Sequence, residues 1–453
     1  MLTKKKFAVL LLGLLPLMAV AGEPFTLKDC LDFAIENNRK LQKDKLGLQT
    51  SQLDRKELIG SLLPQVSASS GFTYNIQKTT FAMPNFINSM MPEAMRDPNA
   101  AKYMTVSMGM DMAANWGASV SQQLVNFSIF NALAIANEAD EMAKLGVELT
   151  TADVISQTAS LFYGIQVLEY ALTQFDESLA LMDTTMNILS VNQEIGLVRD
   201  VDVNRVKVQK GNLQTERSSM EQALEVQKSL LKLQMGFPID DDIAVTALDV
   251  KNMEEVLYAA RTNYFDVTGL PAYRLMEEQG TMAKLGLRGA KYETLPVLNL
   301  VGTYSMNYMG DDFTGDTFFK FPVSMVQLNL KVPIFTGLSK TAKVKKARLE
   351  IMKSDEDKQQ LTETLMMGYN NARMQLDQNL KSIASQRENK DLAQDVYDIT
   401  NGNFSEGIAS LSDVLNASSS LIQAQMNYIT ALNNSMKAYI DLKKADGSIY
   451  ELR

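Results

Sequence analysis

Residues 413–442 of this 453-residue chain read DVLNASSSLIQAQMNYITALNNSMKAYIDL, and they hold the clearest structural pattern in the sequence. One series of alanines recurs every seven positions: Ala417, Ala424, Ala431, Ala438 and Ala445. A second series precedes it by three positions: Val414, Leu421, Tyr428, Ser435 and Leu442. A sustained seven-residue repeat predicts a helix packed in a coiled coil, and alanine at one seam position lets the neighbouring helix approach closely.

Two much longer helices are predicted upstream, from Ser128 to about Ser190 and from Ser339 to about Thr400, because neither stretch contains proline. The first would be about 95 Å long at 1.5 Å per residue. Helices of this length need partner helices along their whole length to cover their apolar stripes. A two-stranded coil is the alternative, but four long helices per chain favour a closed helical tube.

Four segments alternate apolar and polar residues, which predicts strands with one apolar face. They cover residues 65–78, 111–124, 297–309 and 322–333. The polar face is rich in Ser, Thr and Asn, which suits a watery lumen, and the apolar face carries aromatic residues, which suits lipid. The alternative is an ordinary sheet packed on a soluble core. Four strands cannot close a barrel around a channel, so a membrane location requires a trimer whose twelve strands close one barrel.

These elements occur in the same order twice, which predicts two repeats of one unit. The first repeat covers residues 22–246 with a long helix pair at 128–235, the second covers 247–446 with a helix pair at 339–444, and 447–453 form a tail. Each repeat is expected to hold leading helices, two strands and a long helical hairpin. The predicted fold class is therefore mainly α with a membrane β-barrel.

Landmarks in the two repeats locate an insertion. Pro64 and Pro296 lie 232 residues apart, whereas Phe127 and Phe335 lie 208 apart. The decrease of this separation from 232 to 208 residues places 24 additional residues between the two strands of the first repeat, around residues 81–110.

The N-terminus has the features of a signal peptide. Three lysines at 4–6 precede an apolar run from Phe7 to Val20, and Ala19-Val20-Ala21 forms a small-x-small cleavage site. A membrane anchor is the alternative, but the run is shorter than the roughly 20 residues that a spanning helix needs. Cleavage after residue 21 would remove three lysines and no acid, which changes the net charge from −9 to −12.

The composition excludes several classes of function. An acidic chain without a basic stripe is a poor nucleic-acid binder. The chain has one cysteine, which permits no internal disulfide, and no histidine. It therefore lacks the commonest general base and the commonest metal ligand. We expect no enzymatic activity and no cofactor. After the signal peptide, no apolar run reaches the length of a membrane-spanning helix.

Four motifs resemble those of the outer membrane efflux protein family, the TolC-like outer membrane factors. They are the leading helix TLKDCLDFAIENN (26–38), the strand–helix junction VPIFTG (332–337), the turns GLV (196–198) and GIA (407–409), each followed by Asp-Val, and the tail DVLNA through LIQAQMNY (413–428). The resemblance spans about residues 22–446 and rests on the order and duplication of these motifs.

The resemblance implies a passive exit duct in the outer membrane of a Gram-negative bacterium, with a large periplasmic part. A homotrimer would combine a 12-stranded barrel with a tube of helices. Its partners would be the lipid bilayer, a periplasmic adaptor (membrane fusion protein) and an inner-membrane pump that supplies the energy. A trimeric coiled-coil surface or adhesive protein with a barrel anchor is the alternative.

The two helix–turn–helix tips are the candidate adaptor contact. Their residues are Gly196, Leu197, Val198, Gly407, Ile408 and Ala409. Glycine permits the positive φ that a tight helix–helix turn often needs, so the two glycines could equally be simple helix C-caps. The two interpretations are compatible.

The candidate entrance constriction consists of Asp202, Asp413, Asn416 and Phe404. By resemblance, Asp413 and Asn416 fall where family members place acidic residues, so the acidic ring is weaker here. Phe404 and Ala409 fall at the positions of a tyrosine and an arginine that help latch the entrance in the family. Asp413 also fits a capping box that begins at Ser410, which is a purely structural alternative.

Two further segments could suggest metal sites. Eight methionines lie between Met83 and Met112, and thioethers can bind Cu(I), although adaptable apolar packing is the favoured interpretation. The acidic segment 311–316 lacks the spacing of a calcium loop and is expected to be a solvated turn. No metal site is therefore predicted.

Overall fold

A computed structural model describes residues 24–195, 198–260, 265–311 and 319–453. The predicted signal peptide lies outside the described residues, as do Gly196 and Leu197. The helices are α1 (Leu27–Asn37), α2 (Arg39–Gly60), α3 (Phe86–Met90), α4 (Phe127–Glu194), α5 (Asp200–Met235), α6 (Val250–Ala259), α7 (Pro271–Tyr292), α8 (Ser339–Ser405) and α9 (Leu411–Ala445). The strands are β1 (Gln65–Tyr74), β2 (Thr79–Pro84), β3 (Tyr103–Met108), β4 (Met112–Val125), β5 (Val297–Gly310) and β6 (Phe319–Lys331).

The predicted long helices and four principal strands are confirmed. Helix α4 has 68 residues and α8 has 67, so both extend further toward their turns than the sequence predicts. Across the described residues, no helix combines the length and apolar composition needed to cross a membrane.

The principal sheet is antiparallel, with strand order β1-β4-β5-β6. The β4–β5 pairing joins a strand of the first predicted repeat to a strand of the second. It runs from Met112 opposite Gly310 to Val125 opposite Leu298, with an irregularity between Gln123 and Val125. Within the described part of the chain, β1 and β6 are the outer strands, and each pairs along one edge only.

The two faces of this sheet differ in the way that the alternation predicts. On one face Ser67, Ser119 and Thr303 lie side by side on successive strands, and the Ser67 and Ser119 hydroxyls are 2.7 Å apart. On the other face the rings of Trp116 and Tyr304 meet edge to face with their centroids 6.4 Å apart. This second face is widely exposed in the single chain, for example at Val66 (72%), Val326 (80%) and Leu328 (60%). Such an apolar surface requires a cover other than water.

The insertion in the first half forms a second, two-stranded sheet that the sequence analysis did not predict. Strands β2 and β3 pair antiparallel with Met83 opposite Met104, and the hydroxyls of Thr80 and Ser107 lie 3.1 Å apart. Each strand has only six residues, and Pro84 ends the first. Alternation over so few residues is too short to be recognised.

The chain divides into two compact units. The sheet unit covers residues 48–143 and 276–356, and the helical unit covers the described residues of 1–47, 144–275 and 357–453. The core of the helical unit includes Ile155, Leu376, Leu432 and Ile440, each no more than 1% exposed.

The seven-residue seam of α9 is buried in the helical unit. Among its alanines, Ala424 is 9% exposed and Ala438 is 3% exposed. The preceding series is covered still more completely, with Val414 at 1% and Leu421 at 2%. The spacing therefore identified the face of α9 that packs on neighbouring helices.

A polar network ties α6 to the long hairpin. The hydroxyl of Tyr428 on α9 donates to Oε1 of Glu254 on α6, at 3.0 Å, and Arg387 on α8 forms an ion pair with the same carboxylate. Glu254 is 8% exposed, so its charge depends on these partners.

Candidate functional site

The turn between α8 and α9 forms one of the two predicted tips, and its glycine adopts the left-handed conformation. Gly407 has φ of 77°. Its amide donates to the carbonyl oxygen of Phe404 at 3.0 Å, and the amide of Ile408 donates to that of Asn403 at 2.8 Å. This pair of hydrogen bonds is a Schellman motif, which closes a helix where only glycine fits without strain. Ile408 is left 72% exposed at the turn, while Ala409 is partly buried.

The other tip is described from Val198 onward. Val198 packs against a buried cluster of Leu189, Val203 and Val206, which joins the end of α4 to the start of α5. Val198 is thus anchored in the hairpin, in contrast to the exposed Ile408.

Asp413 takes part in a complete capping box at the start of α9. The amide and the hydroxyl of Ser410 donate to Oδ2 of Asp413 at 3.0 and 2.6 Å, and the amide of Asp413 donates to Oγ of Ser410 at 3.3 Å. These hydrogen bonds favour the ionised carboxyl and lower the pKa of Asp413 below its ordinary value of 3.8. The side chain is exposed, so the cap and a solvent-facing carboxylate coexist.

Asp202 occupies the corresponding position in α5 but has different partners. Its carboxylate contacts Nε of Arg199 at 3.2 Å and Nη1 of Arg205 at 3.3 Å. Its side chain is only 16% exposed. Two guanidinium groups thus surround the first aspartate, whereas a backbone cap holds the second. The arginines lie three positions before and after Asp202, a spacing that could have revealed the pairing.

Phe404 lies between the two helical hairpins. It packs against Tyr397 and Val414 of the α8–α9 hairpin and against Leu189 and Val203 of the α4–α5 hairpin. The contact is apolar, and no sequence spacing signals the part of it that joins the hairpins, because Leu189 and Val203 lie more than 200 positions before Phe404. Asn416 lies one turn beyond Asp413 and is exposed on α9.

The capping box makes a testable contribution to the tip. We expect Ser410→Ala to destabilise the first turn of α9 by about 1 kcal/mol, because it removes the N-cap acceptor. Because the pKa of Asp413 is lowered by folding, its contribution is present above pH 3.8 and is lost as the pH falls through the lower folded value. Amide hydrogen-exchange protection factors for residues 410–416 at pH 7 and pH 3 measure both effects.

Ser412→Ala is the matched control, since Ser412 lies outside the capping box. Equal protection in the Ser410→Ala and Ser412→Ala proteins would show that the box does not hold this helix end.

The acidic outer turn is described at its first residue, Asp311. Nζ of Lys78 lies 2.8 Å from Oδ1 of Asp311 and 3.3 Å from Oδ1 of Asp111, so the described acid of the outer turn is held in an ion-pair cluster. The rest of that turn falls on residues 312–318, outside the described ranges. Over the described residues, no group of three or more His, Cys, Asp or Glu side chains could hold a metal ion.

An antiparallel sheet with two long helical hairpins defines the class: the fold is that of the TolC-like outer-membrane channels. Residues 290–448 match the family described as "Outer membrane efflux protein". The resemblance found in the sequence is therefore confirmed over these residues.

Comparison with individual proteins agrees with this class. The chain is 21% identical to outer membrane protein TolC of Escherichia coli (strain K12) over 435 residues, which cover 92% of this chain and 80% of TolC. The outer-membrane channel OprN superposes with a TM-score of 0.70 at 11% identity, covering 93% of this chain and 89% of OprN. The CmeC outer membrane channel of Campylobacter jejuni gives a TM-score of 0.70 at 15% identity, covering 93% and 85%.

Proposed function

We propose that this protein is the outer-membrane exit duct of an efflux or secretion system. It passively conducts molecules that an inner-membrane pump delivers through a periplasmic adaptor. The observation that carries this proposal is the TolC-like fold across 93% of the chain, in which strands and paired long helices occur twice. No catalytic step is needed, because the pump supplies the energy.

The principal sheet supports a trimer. Its apolar face is exposed, and β1 and β6 each present one edge without a partner in the described residues. Open edges cannot lie in lipid, because their backbone groups would have no hydrogen-bond partner. Three copies placed edge to edge form one closed wall of twelve strands. Strands from both halves of the chain contribute to the principal sheet. This disfavours an adhesive protein that is anchored by a single terminal segment.

The long helices support the same assembly. Counted from the turns, Leu181, Thr185 and Ile188 of α4 correspond to Leu392, Val396 and Ile399 of α8, each 211 positions later. Leu181 packs against the α8–α9 hairpin, and Thr185 is 4% exposed. The α8 residues are instead 57%, 54% and 65% exposed. We assign this α8 stripe to the contact with the next copy of the chain. In this arrangement, the next copy covers the α8 residues in the same way that the chain itself covers the corresponding α4 residues.

The tips provide the proposed adaptor contact. Ile408 offers an exposed apolar side chain on a rigid turn, and Val198, Ala409 and Gly407 belong to the same two tips. Gly196 and Leu197 complete the proposed contact by sequence. Asp202, Asp413, Asn416 and Phe404 form the proposed constriction just inside it.

The function is tested by deleting the gene in its own bacterium. We expect trimeric protein in outer-membrane fractions of the parent strain. The deletion strain should become several-fold more sensitive to drugs or detergents, and the full-length gene should restore resistance. A monomer that stays soluble without detergent, or a deletion without any effect on export, would overturn the proposal.

A further inference from the structure

Helix α9 exposes a single stripe of side chains, because its other faces pack on neighbouring helices. The stripe is formed mainly by two series with seven-residue spacing, and Ser412, Ser419 and Asn433 are exposed along its edge. The two series are Asp413, Ser420, Asn427, Asn434 and Asp441, and Asn416, Gln423, Thr430, Lys437 and Lys444. Charged residues occur only toward the two ends, and every position between them is an amide or a hydroxyl.

The absence of charge extends beyond the stripe. No charged residue occurs from residue 414 to residue 436, a stretch of 23 residues. At the ordinary frequency of about 25%, a stretch of this length would contain about six charges. A buried face excludes charge, but an exposed face does not, so the exclusion on the exposed side needs its own explanation.

Helix α8 contributes side chains of the same kind to a shallow groove beside this stripe. The groove has a volume of about 610 Å³ and is lined by Gln386 and Asn389 of α8 and by Asn416, Ser420, Gln423 and Asn427 of α9. Two charged residues of α8 at the same level, Arg387 and Lys390, make other contacts. Arg387 pairs with Glu254, and Nζ of Lys390 lies 5.3 Å from the ring centroid of Tyr428.

Several charges on the neighbouring α4–α5 hairpin are paired with opposite charges. Arg217 contacts Asp176 at 2.6 Å, and Lys228 contacts Glu169 at 3.2 Å. Lys210 likewise pairs with Asp183. Because the two charges of each ion pair largely cancel, these pairs contribute little net electrostatic field beside the exposed stripe of α9.

The length of the neutral section decides its electrostatic effect. Asp413 and Lys437 are 24 positions apart, or about 36 Å along a helix that rises 1.5 Å per residue. The Debye length is about 10 Å at 0.1 M ionic strength. The middle of the section is therefore screened from the charges at both ends.

We infer that this stripe lines the lumen of the assembled duct as a charge-neutral section of its wall. The inference rests on the proposed function, which places Asp413 and Asn416 at the entrance. In a coiled coil, residues seven apart stay on one side of the helix, so the stripe continues on the lumen side.

The neutral section passes anionic, cationic and uncharged polar molecules with little discrimination by charge. Amides and hydroxyls offer both donors and acceptors, so they can hydrogen-bond to groups of either sign. Any preference of the duct for charge arises at the Asp413 ring or in the pump.

The lone cysteine of the chain makes a direct test possible. Cys30 is fully buried, and burial raises the pKa of its thiol to about 12, so the parent protein has no reactive thiol. Asn427→Cys places one thiol per chain in the middle of the stripe. Purified full-length protein in planar bilayers is treated with anionic and cationic methanethiosulfonates of similar size, and the conductance is followed. The parent protein is the control.

Both reagents are added on the barrel side, so that they do not pass the Asp413 ring. They should modify the Asn427→Cys duct at rates within about threefold of each other, because the neutral section of the wall carries no charge. Adding Asn416→Asp and Gln423→Glu should favour the cationic reagent by about tenfold, equivalent to about 1.4 kcal/mol. Ser420→Cys, in the same series, replaces Asn427→Cys if that variant fails to assemble.

Two results would overturn the inference. One is a thiol at 427 and at 420 that neither reagent reaches in a conducting duct, which would place the stripe outside the lumen. The other is a tenfold preference for one charge without added carboxylates. A parent protein that forms no conducting channel would instead contradict the proposed function itself, so the two failures are distinguishable.

Discussion

Replacing Val396 with aspartate should convert the assembled protein to monomers. Val396 lies in the middle of the exposed stripe of α8 and is 54% exposed in the single chain. In the proposed trimer this stripe is covered by the next copy. A carboxylate there would have to be desolvated at each of three contacts, and burying an unpaired charge costs several kcal/mol. A cost of about 3 kcal/mol per contact weakens association by more than about a hundredfold.

Light scattering on detergent-solubilised protein measures this change. Asp398→Arg is the matched control, because Asp398 is exposed on the opposite side of the same helix. It should leave the trimer intact. Circular dichroism should show the same helix content in both variants, which separates lost assembly from lost folding. A Val396→Asp protein that remains a trimer of unchanged stability would remove this face from the interface.

Replacing Phe404 with alanine should loosen the entrance of the duct. Phe404 is the aromatic member of the apolar contact between the α4–α5 and α8–α9 tips, which also includes Leu411 and Leu415. The nearby carboxylates of Asp413 and Asp202 are held by a cap and by arginines. Truncating a fully buried Phe costs about 3–5 kcal/mol. Phe404 is only partly buried, so we expect about 2 kcal/mol, which is about a 30-fold shift toward separated tips.

Single-channel conductance of the purified protein measures the entrance directly. Phe404→Ala should spend more time in high-conductance states, and cells that carry it should admit large hydrophilic molecules. Phe404→Leu retains most of the apolar contact and should stay close to the parent. If the alanine and leucine variants conduct identically to the parent, the entrance is held by other residues.

Features that depend on local spacing could be predicted from the sequence. The seam of α9, the four principal strands and the capping box at Ser410 follow from periods of seven and two and from a three-residue offset. Each of these features depends on residues only a few positions apart, so the local sequence is sufficient to predict it.

Features that depend on distant partners could not be predicted. Phe404 gains its position only when two hairpins that are far apart in sequence come together, and Glu254 meets Tyr428 across 174 positions. The two matched aspartates illustrate the same limit. Their positions follow from the repeat, but their different partners arise because Arg199 in one copy is replaced by Ser410 in the other.

The pairing of β4 with β5 along most of their length also bears on how such a chain could arise. A half-length ancestor would contribute two strands, so six identical subunits would be needed to make the same wall. Fusing two halves turns every second contact between subunits into a contact within one chain, and the pairing of β4 with β5 is that contact. The two halves are then free to diverge, and here only the first has gained a methionine-rich outer hairpin.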